Sequence, residues 1–369
     1  MVALLACRAA APPPVREASL AASQALVAPP PVGQGPLSAQ APEAAPSAQK
    51  EPPPAPAEKE PAPLIVHAVG GKGGVTFEVQ EAAPHIRRTV DVGNGVVLEV
   101  LDWGGGGETI VLLAGLGNSA HIFDDFAPAF VDRWRVLGVS RRGFGGSTVT
   151  PSGYDAPNLG GDTLRALDAL EIQRAIFVGH SIAGEELTWL GSEHPGRVLA
   201  LVYLDAAYDR VAGRPHRPPP TPEPPTTPAE LANPTAYAAR LSRFKRMPMP
   251  LDEVLASSEF APDGHFLRSS TNPKVVRQIA QAVRSPDYTK LAAPTLAVYA
   301  LARHWTADYA AHTARERERF AREVPSARIV TIPRSRHYLF LTNRDEVVSE
   351  IRGFLDGLTH ATSGLGSKE

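Results

Sequence analysis

Residues 175–187 read AIFVGHSIAGEEL. The apolar run Ala175 to Val178 suits a short strand buried on both faces, although periodicity alone does not separate it from a buried helix. A glycine ends the run, a lone serine follows within two residues, and a polar-faced helical pattern begins at once. Gly179-His180-Ser181-Ile182-Ala183 fits G-x-S-x-[GA], a nucleophile elbow with the serine in a strained conformation at the tip. Large side chains two residues before or after the serine would collide as the chain doubles back, and Gly179 and Ala183 avoid this. The turn also sets the N-terminus of the next helix under Ser181, where free N–H groups and the dipole favour a developing oxyanion. The plain alternative is a chance match, against which the strand before and the helix after both argue.

The rest of the chain repeats this alternation. Strands are expected at 96–103, 109–113, 134–140, 175–179, 198–205, 295–300 and 327–332, and helices at 158–170, 182–194, 310–324 and 344–355. Continuous Val/Leu/Ile strands separated by helices predict an α/β fold with a mostly parallel, doubly wound sheet covered on both faces. Gly104 to Gly107 read as a hairpin reversal between the first two strands. No helix opens directly after them, so they do not form a phosphate cradle. GGKGGVT at 70–76 lacks the spacing of a nucleotide loop and the strand before it, and reads as linker.

Composition sets the limits. With 369 residues and 43% hydrophobic content the chain can bury a full core. A net charge of −2 and a pI near 6.6 give no global field for nucleic acid or anionic membrane. The single cysteine, Cys7, excludes an internal disulfide framework and a multi-cysteine metal site. No apolar run approaches the roughly 18 residues of a membrane-spanning helix. Residues 1–63 hold 15 of the 37 prolines and no Phe, Tyr or Trp, which predicts a disordered tail. Residues 64–89 follow as linker, 90–358 as the folded domain, and 359–369 as a flexible end. MVALLACRAAAPPP resembles the end of a bacterial lipoprotein signal with its tether, but the apolar patch is too short and lacks a basic start. The location that follows is cytoplasmic or, if the true start lies upstream and this is a truncated signal, either the cell envelope as a lipoprotein anchored at Cys7 or the exterior as a secreted protein.

Residues 206–290 interrupt the alternation. They include RPHRPPPTPEPPTTP, whose eight prolines in 15 residues forbid regular structure, and helical stretches near 229–243 and 273–284. An insertion at a strand end sits where open α/β sheets bind ligands, which predicts a lid.

On these motifs, residues 90–358 resemble an α/β-hydrolase of the lidded esterase, lipase and epoxide-hydrolase superfamily. GHSIAG is shared by many members, VLLAGLGNSAHIF is similar to the segment after the third strand, and SRRGFGGS at 140–147 to the arginine-glycine turn after the fourth. Ala114 stands where the family often has histidine. The resemblance implies an α/β-hydrolase fold with a helical lid after the sixth strand. It implies backbone N–H donors from Leu116 and Ile182 as the oxyanion hole, and His337, between the last strand and last helix, as the base. The acid is placed after the sixth strand in some members and after the seventh in others. Asp205 at the end of VYLD is favoured over Asp308, because a strand end holds the imidazole's partner rigidly; the plain reading of Asp205 is a cap on the next turn. His180 is assigned a packing role, and His121 a place on the pocket wall.

A serine nucleophile excludes the carboxylate chemistry of the superfamily's dehalogenases and epoxide hydrolases. What remains is acyl transfer: hydrolysis of a small carboxylic ester or lactone through an acyl-serine, without metal or organic cofactor. An acyltransferase, a cofactor-free haloperoxidase or perhydrolase on the same triad, and a catalytically silent binding module are the alternatives.

Overall fold

The computed structural model describes residues 66–71, 74–80, 84–212, 224–302 and 305–363. The 1–63 tail, Cys7 and most of the proline-rich run lie outside the described residues. Strands β1 (Val66–Gly71), β2 (Gly74–Gln80), β3 (Ile86–Asp91) and β4 (Val97–Gly104) form an antiparallel flank. Strands β5 (Thr109–Leu113), β6 (Arg135–Ser140), β7 (Ala175–His180) and β8 (Val198–Leu204) belong to the parallel body.

The helices α1 (Ala156–Ala169) and α2 (Ala183–Glu193) connect strands of that body. After β8 come α3 (Pro234–Lys245), α4 (Leu251–Ala256), the small hairpin β9 (Ser258–Phe260) and β10 (Phe266–Ser269), and α5 (Pro273–Ala282). The chain ends with β11 (Thr295–Leu301), α6 (Ala307–Glu323), β12 (Arg328–Pro333), α7 (Leu339–Thr342) and α8 (Arg344–Ser363). The ten-stranded sheet runs β1-β2-β3-β4-β6-β5-β7-β8-β11-β12.

Strands at the centre are buried on both faces, as their continuous apolar runs require. Ile110, Leu112, Ile176 and Val178 face one core with Val347, Ile351 and Phe354 of α8. Val111, Leu113 and Phe177 face the other with Leu164 and Leu167 of α1, Leu187 and Leu190 of α2, and Phe320 of α6. The alternation follows from the two-residue period of a strand.

Three expectations are corrected. The segment 64–89 is not a plain linker: it supplies β1, β2 and most of β3, with Gly71 paired to Gly74 at the first reversal. β4 and β5 do not form a hairpin, because β6 lies between them, antiparallel to β4 and parallel to β5. The glycines there serve a close approach: a Cβ on Gly105 would fall 2.0 Å from the carbonyl oxygen of Trp134, and one on Gly107 2.9 Å from that of Arg133. The last helix runs past 358 to Ser363.

The insertion contains more regular structure than the two expected helices. Asn233 and Asn272 cap α3 and α5, each followed by proline in the first turn, a combination readable in the sequence. The six-residue α4 and the β9–β10 hairpin are too short to stand alone. Val254 of α4 packs into the first core, which holds that helix in place.

Candidate active site

Ser181 follows the last residue of β7 with φ at +54°, in the left-handed region that a non-glycine residue rarely adopts. Its N–H donates to the Leu204 carbonyl at 3.1 Å and its own carbonyl accepts from Gly184. The corner depends on small neighbours. A Cβ on Gly179 would lie 2.9 Å from Leu187 and 3.1 Å from the Ala183 Cβ, and one on Gly184 only 2.2 Å from the Ala206 carbonyl.

His337 reaches this corner from the loop between β12 and α7. Its Nε2 lies 2.8 Å from Ser181 Oγ, and its Nδ1 lies 2.6 Å from Asp205 Oδ2. Asp205, one residue past β8, is buried and has φ at +47°. Its Oδ1 accepts from the Ala300 N–H at 3.0 Å and from the Tyr208 hydroxyl at 2.5 Å. Burial and the adjacent Asp205 charge push the Tyr208 phenol well above its ordinary value, so it stays a neutral donor. Ser181, His337 and Asp205 therefore form one hydrogen-bonded chain. Asp308 stands exposed in the first turn of α6.

His180 is fully buried, its ring 4.6 Å from that of His337, and its Nε2 lies 3.0 Å from the His337 carbonyl oxygen. Burial, then repulsion from His337, pushes its imidazole well below the ordinary value, so it packs as a neutral ring. His121 does not line the pocket, and this corrects the sequence reading. It is buried with Nδ1 3.2 Å from Asp124 and Nε2 3.6 Å from Glu99. Burial opposes its charge, yet the two carboxylates carry the imidazole up to about 10. His85, His121 and Asp124 bring one ligand atom each within 4.8 Å of one another, as a metal site would. The contacts of His85 and His121 with Asp124, and of His121 with Glu99, account for the cluster as a buried polar network.

A cavity of about 660 Å³ opens above Ser181. Leu116, Ile182 and Met247 give it apolar wall, and Arg210, Lys245 and Arg336 give it positive charge. A smaller hollow of about 440 Å³ beside Trp189 and Ile279 is lined by none of Ser181, His337 or Asp205.

Leu116 belongs to a loop, 114–119, that is held at both ends. Arg141 donates to the Ala114 and Gly115 carbonyls at 2.6 and 3.1 Å while pairing with Glu186 of α2. At the far end, Glu253 of α4 accepts from the Asn118 side chain at 2.7 Å and from the Ser119 hydroxyl at 2.6 Å. Sequence reasoning missed Tyr208 and Glu253. Both lie in irregular or very short elements, where spacing carries no signal. The SRRGFGGS segment did flag Arg141, although its partners were not readable.

The family profile described as "alpha/beta hydrolase fold" matches residues 108–344. The chain is 24% identical over 282 residues to the 2-(acetamidomethylene)succinate hydrolase of Mesorhizobium japonicum, covering 73% of this chain and 95% of that one. It is 31% identical over 121 residues to the non-heme chloroperoxidase of Streptomyces lividans, covering 32% and 44%. The matches to the first two curated relatives span only 39% and 44% of those proteins' lengths. Among solved structures, E-2-(acetamidomethylene)succinate hydrolase superposes with a TM-score of 0.59 at 22% identity, covering 74% of this chain and 99% of that one. Est816, titled an N-acyl homoserine lactone degrading enzyme, gives 0.52 at 24%, covering 72% and 99%. With five consecutive parallel pairings from β6 through β5, β7, β8 and β11 to β12 in its ten-stranded sheet, and a profile match over most of its length, the chain belongs to the alpha/beta hydrolase fold family.

Proposed function

We propose that the protein is a serine hydrolase that cleaves a small carboxylic ester or lactone through an acyl-serine. The observation that carries this reading is the single hydrogen-bonded run from Ser181 Oγ through His337 to Asp205, with spans of 2.8 and 2.6 Å. In the proposed reaction His337 Nε2 takes the Ser181 proton as Oγ attacks the carbonyl carbon. The imidazolium then returns that proton to the leaving oxygen, and Asp205 stabilises the charge in between. The backbone N–H groups of Leu116 and Ile182 hold the tetrahedral oxyanion at the head of α2. Water, activated by His337 in turn, releases the acid and restores the serine. None of these steps calls on a metal or an organic cofactor. The insertion after β8 acts as the lid, since Lys245, Met247 and Ala280 within it line the cavity.

The test is turnover of a panel of esters and lactones of graded acyl length by the wild type and by Ser181→Ala. Loss of about 10⁶-fold in kcat for the variant is expected. Equal turnover by the two proteins would end the reading. Because one partial relative is named a chloroperoxidase, the same panel includes peroxide with halide, and halogenation without ester cleavage would replace hydrolysis with that activity.

A further inference from the structure

The proposed reaction makes no use of Glu253, yet both of its carboxylate oxygens are buried and hydrogen-bonded. It is 1% exposed, and it bridges two parts of the chain 134 residues apart. Oε1 accepts from Asn118 Nδ2 at 2.7 Å; Oε2 accepts from the Ser119 hydroxyl at 2.6 Å and from the Ser119 N–H at 3.2 Å. Asn118 passes the contact on, because its Oδ1 accepts from the Tyr338 hydroxyl at 2.8 Å, and Tyr338 directly follows His337.

Burying a carboxylate is costly unless its oxygens are well supplied with donors. An apolar side chain would fill the same space without that cost, but it could not hold a backbone N–H and two polar side chains of one loop at once. The loop in question contains Gly115 and Gly117, the latter at φ +87°. Glycines leave a backbone many conformations, so a loop that must present one N–H group in a fixed direction needs external restraint. Arg141 restrains its first two residues through their carbonyls, and Glu253 restrains its last two. Leu116 lies between the two clamps.

We propose that Glu253 is a positioning residue, which ties the insertion to loop 114–119 so that the Leu116 N–H faces the oxygen of a carbonyl bound at Ser181. The proposal rests on the serine-hydrolase reading. It gives the insertion a second task besides covering the cavity: the loop keeps its working shape only while α4 is seated.

The test uses the full chain with Glu253→Gln, Glu253→Ala and Ser119→Ala. For each, kcat and KM are measured on the best ester of the panel, together with the affinity of a boronic acid that mimics the tetrahedral adduct and a thermal melt. A displaced donor acts on the transition state and little on bound substrate. The expected result for the Glu253 variants is therefore kcat lower by about 10²-fold with KM little changed. Boronate affinity should fall in proportion to kcat/KM, and Ser119→Ala should move the same way by less. A merely structural role would lower the melting temperature without that proportionality. If Glu253→Ala fails to fold, Glu253→Gln and Ser119→Ala carry the test, since each keeps most of the packing. Folded variants with wild-type kcat, or with reduced kcat and unchanged boronate affinity, overturn the proposal while leaving the hydrolase reading intact. A wild type that neither cleaves any ester nor binds the boronate overturns the hydrolase reading itself.

Discussion

The Tyr208 hydroxyl lies 2.5 Å from Asp205 Oδ1, the carboxylate oxygen that does not face His337. It shares that oxygen with the Ala300 N–H of β11, so Asp205 is held by a neighbouring strand and by the segment that directly follows it. In Tyr208→Phe the carboxylate loses a donor and turns more of its charge toward the imidazole. The acid limb of the kcat/KM profile should move to higher pH, and turnover should fall by at most about 10²-fold. Stability should drop by about 1.5–3 kcal/mol, the usual worth of a hydrogen bond to a charged group. A pH–rate profile and a urea titration check both.

The two candidate acids separate cleanly in the structure. Asp205 touches His337, and Asp308 is exposed at the start of α6. Asp205→Asn should lower kcat by about 10⁴-fold through loss of the oriented imidazole. Asp308→Asn should leave kcat at the wild-type value. Steady-state kinetics on both variants decide the assignment, and the reverse pattern would refute it.

Glu253 also predicts a pH dependence of folding. Burial pushes its carboxyl from the usual 4.5 up to about 7, against the opposing pull of Ser119, Asn118 and the His121 charge. Between these values the folded protein holds a proton that the unfolded chain has released. Folding therefore takes up a proton in this window, and stability falls as pH rises through it. The contribution is about 3 kcal/mol across the window, and Glu253→Gln should remove it. Urea midpoints at pH 5 and pH 8 for both proteins measure the difference.

How much could be read from residues alone follows the range of the interactions. The elbow was legible because its parts are adjacent: a buried strand, Gly179, Ser181 and Ala183 lie within nine residues. The parallel body was legible because central strands carry continuous apolar runs. Strand partners were not, since nothing near Gly104–Gly107 tells that β6 will take the place beside β4. The antiparallel flank was hidden by the Gly-rich look of 70–76, since β1 and β2 are defined by pairing with their neighbours rather than by an apolar run. His121 was misplaced because its partners, Glu99 and Asp124, act through burial and charge rather than through any motif. Tyr208 and Glu253 escaped for the same reason, as a lone polar residue in a loop or a six-residue helix shows its role only once its partner is in space beside it.

The most direct measurement of the central claim is covalent labelling of the native chain with a fluorophosphonate, followed by peptide mapping. The account predicts one adduct, on the Ser181 hydroxyl, that is lost when His337 is replaced by alanine. An adduct on another residue, or labelling of Ser181 that does not depend on His337, would contradict it.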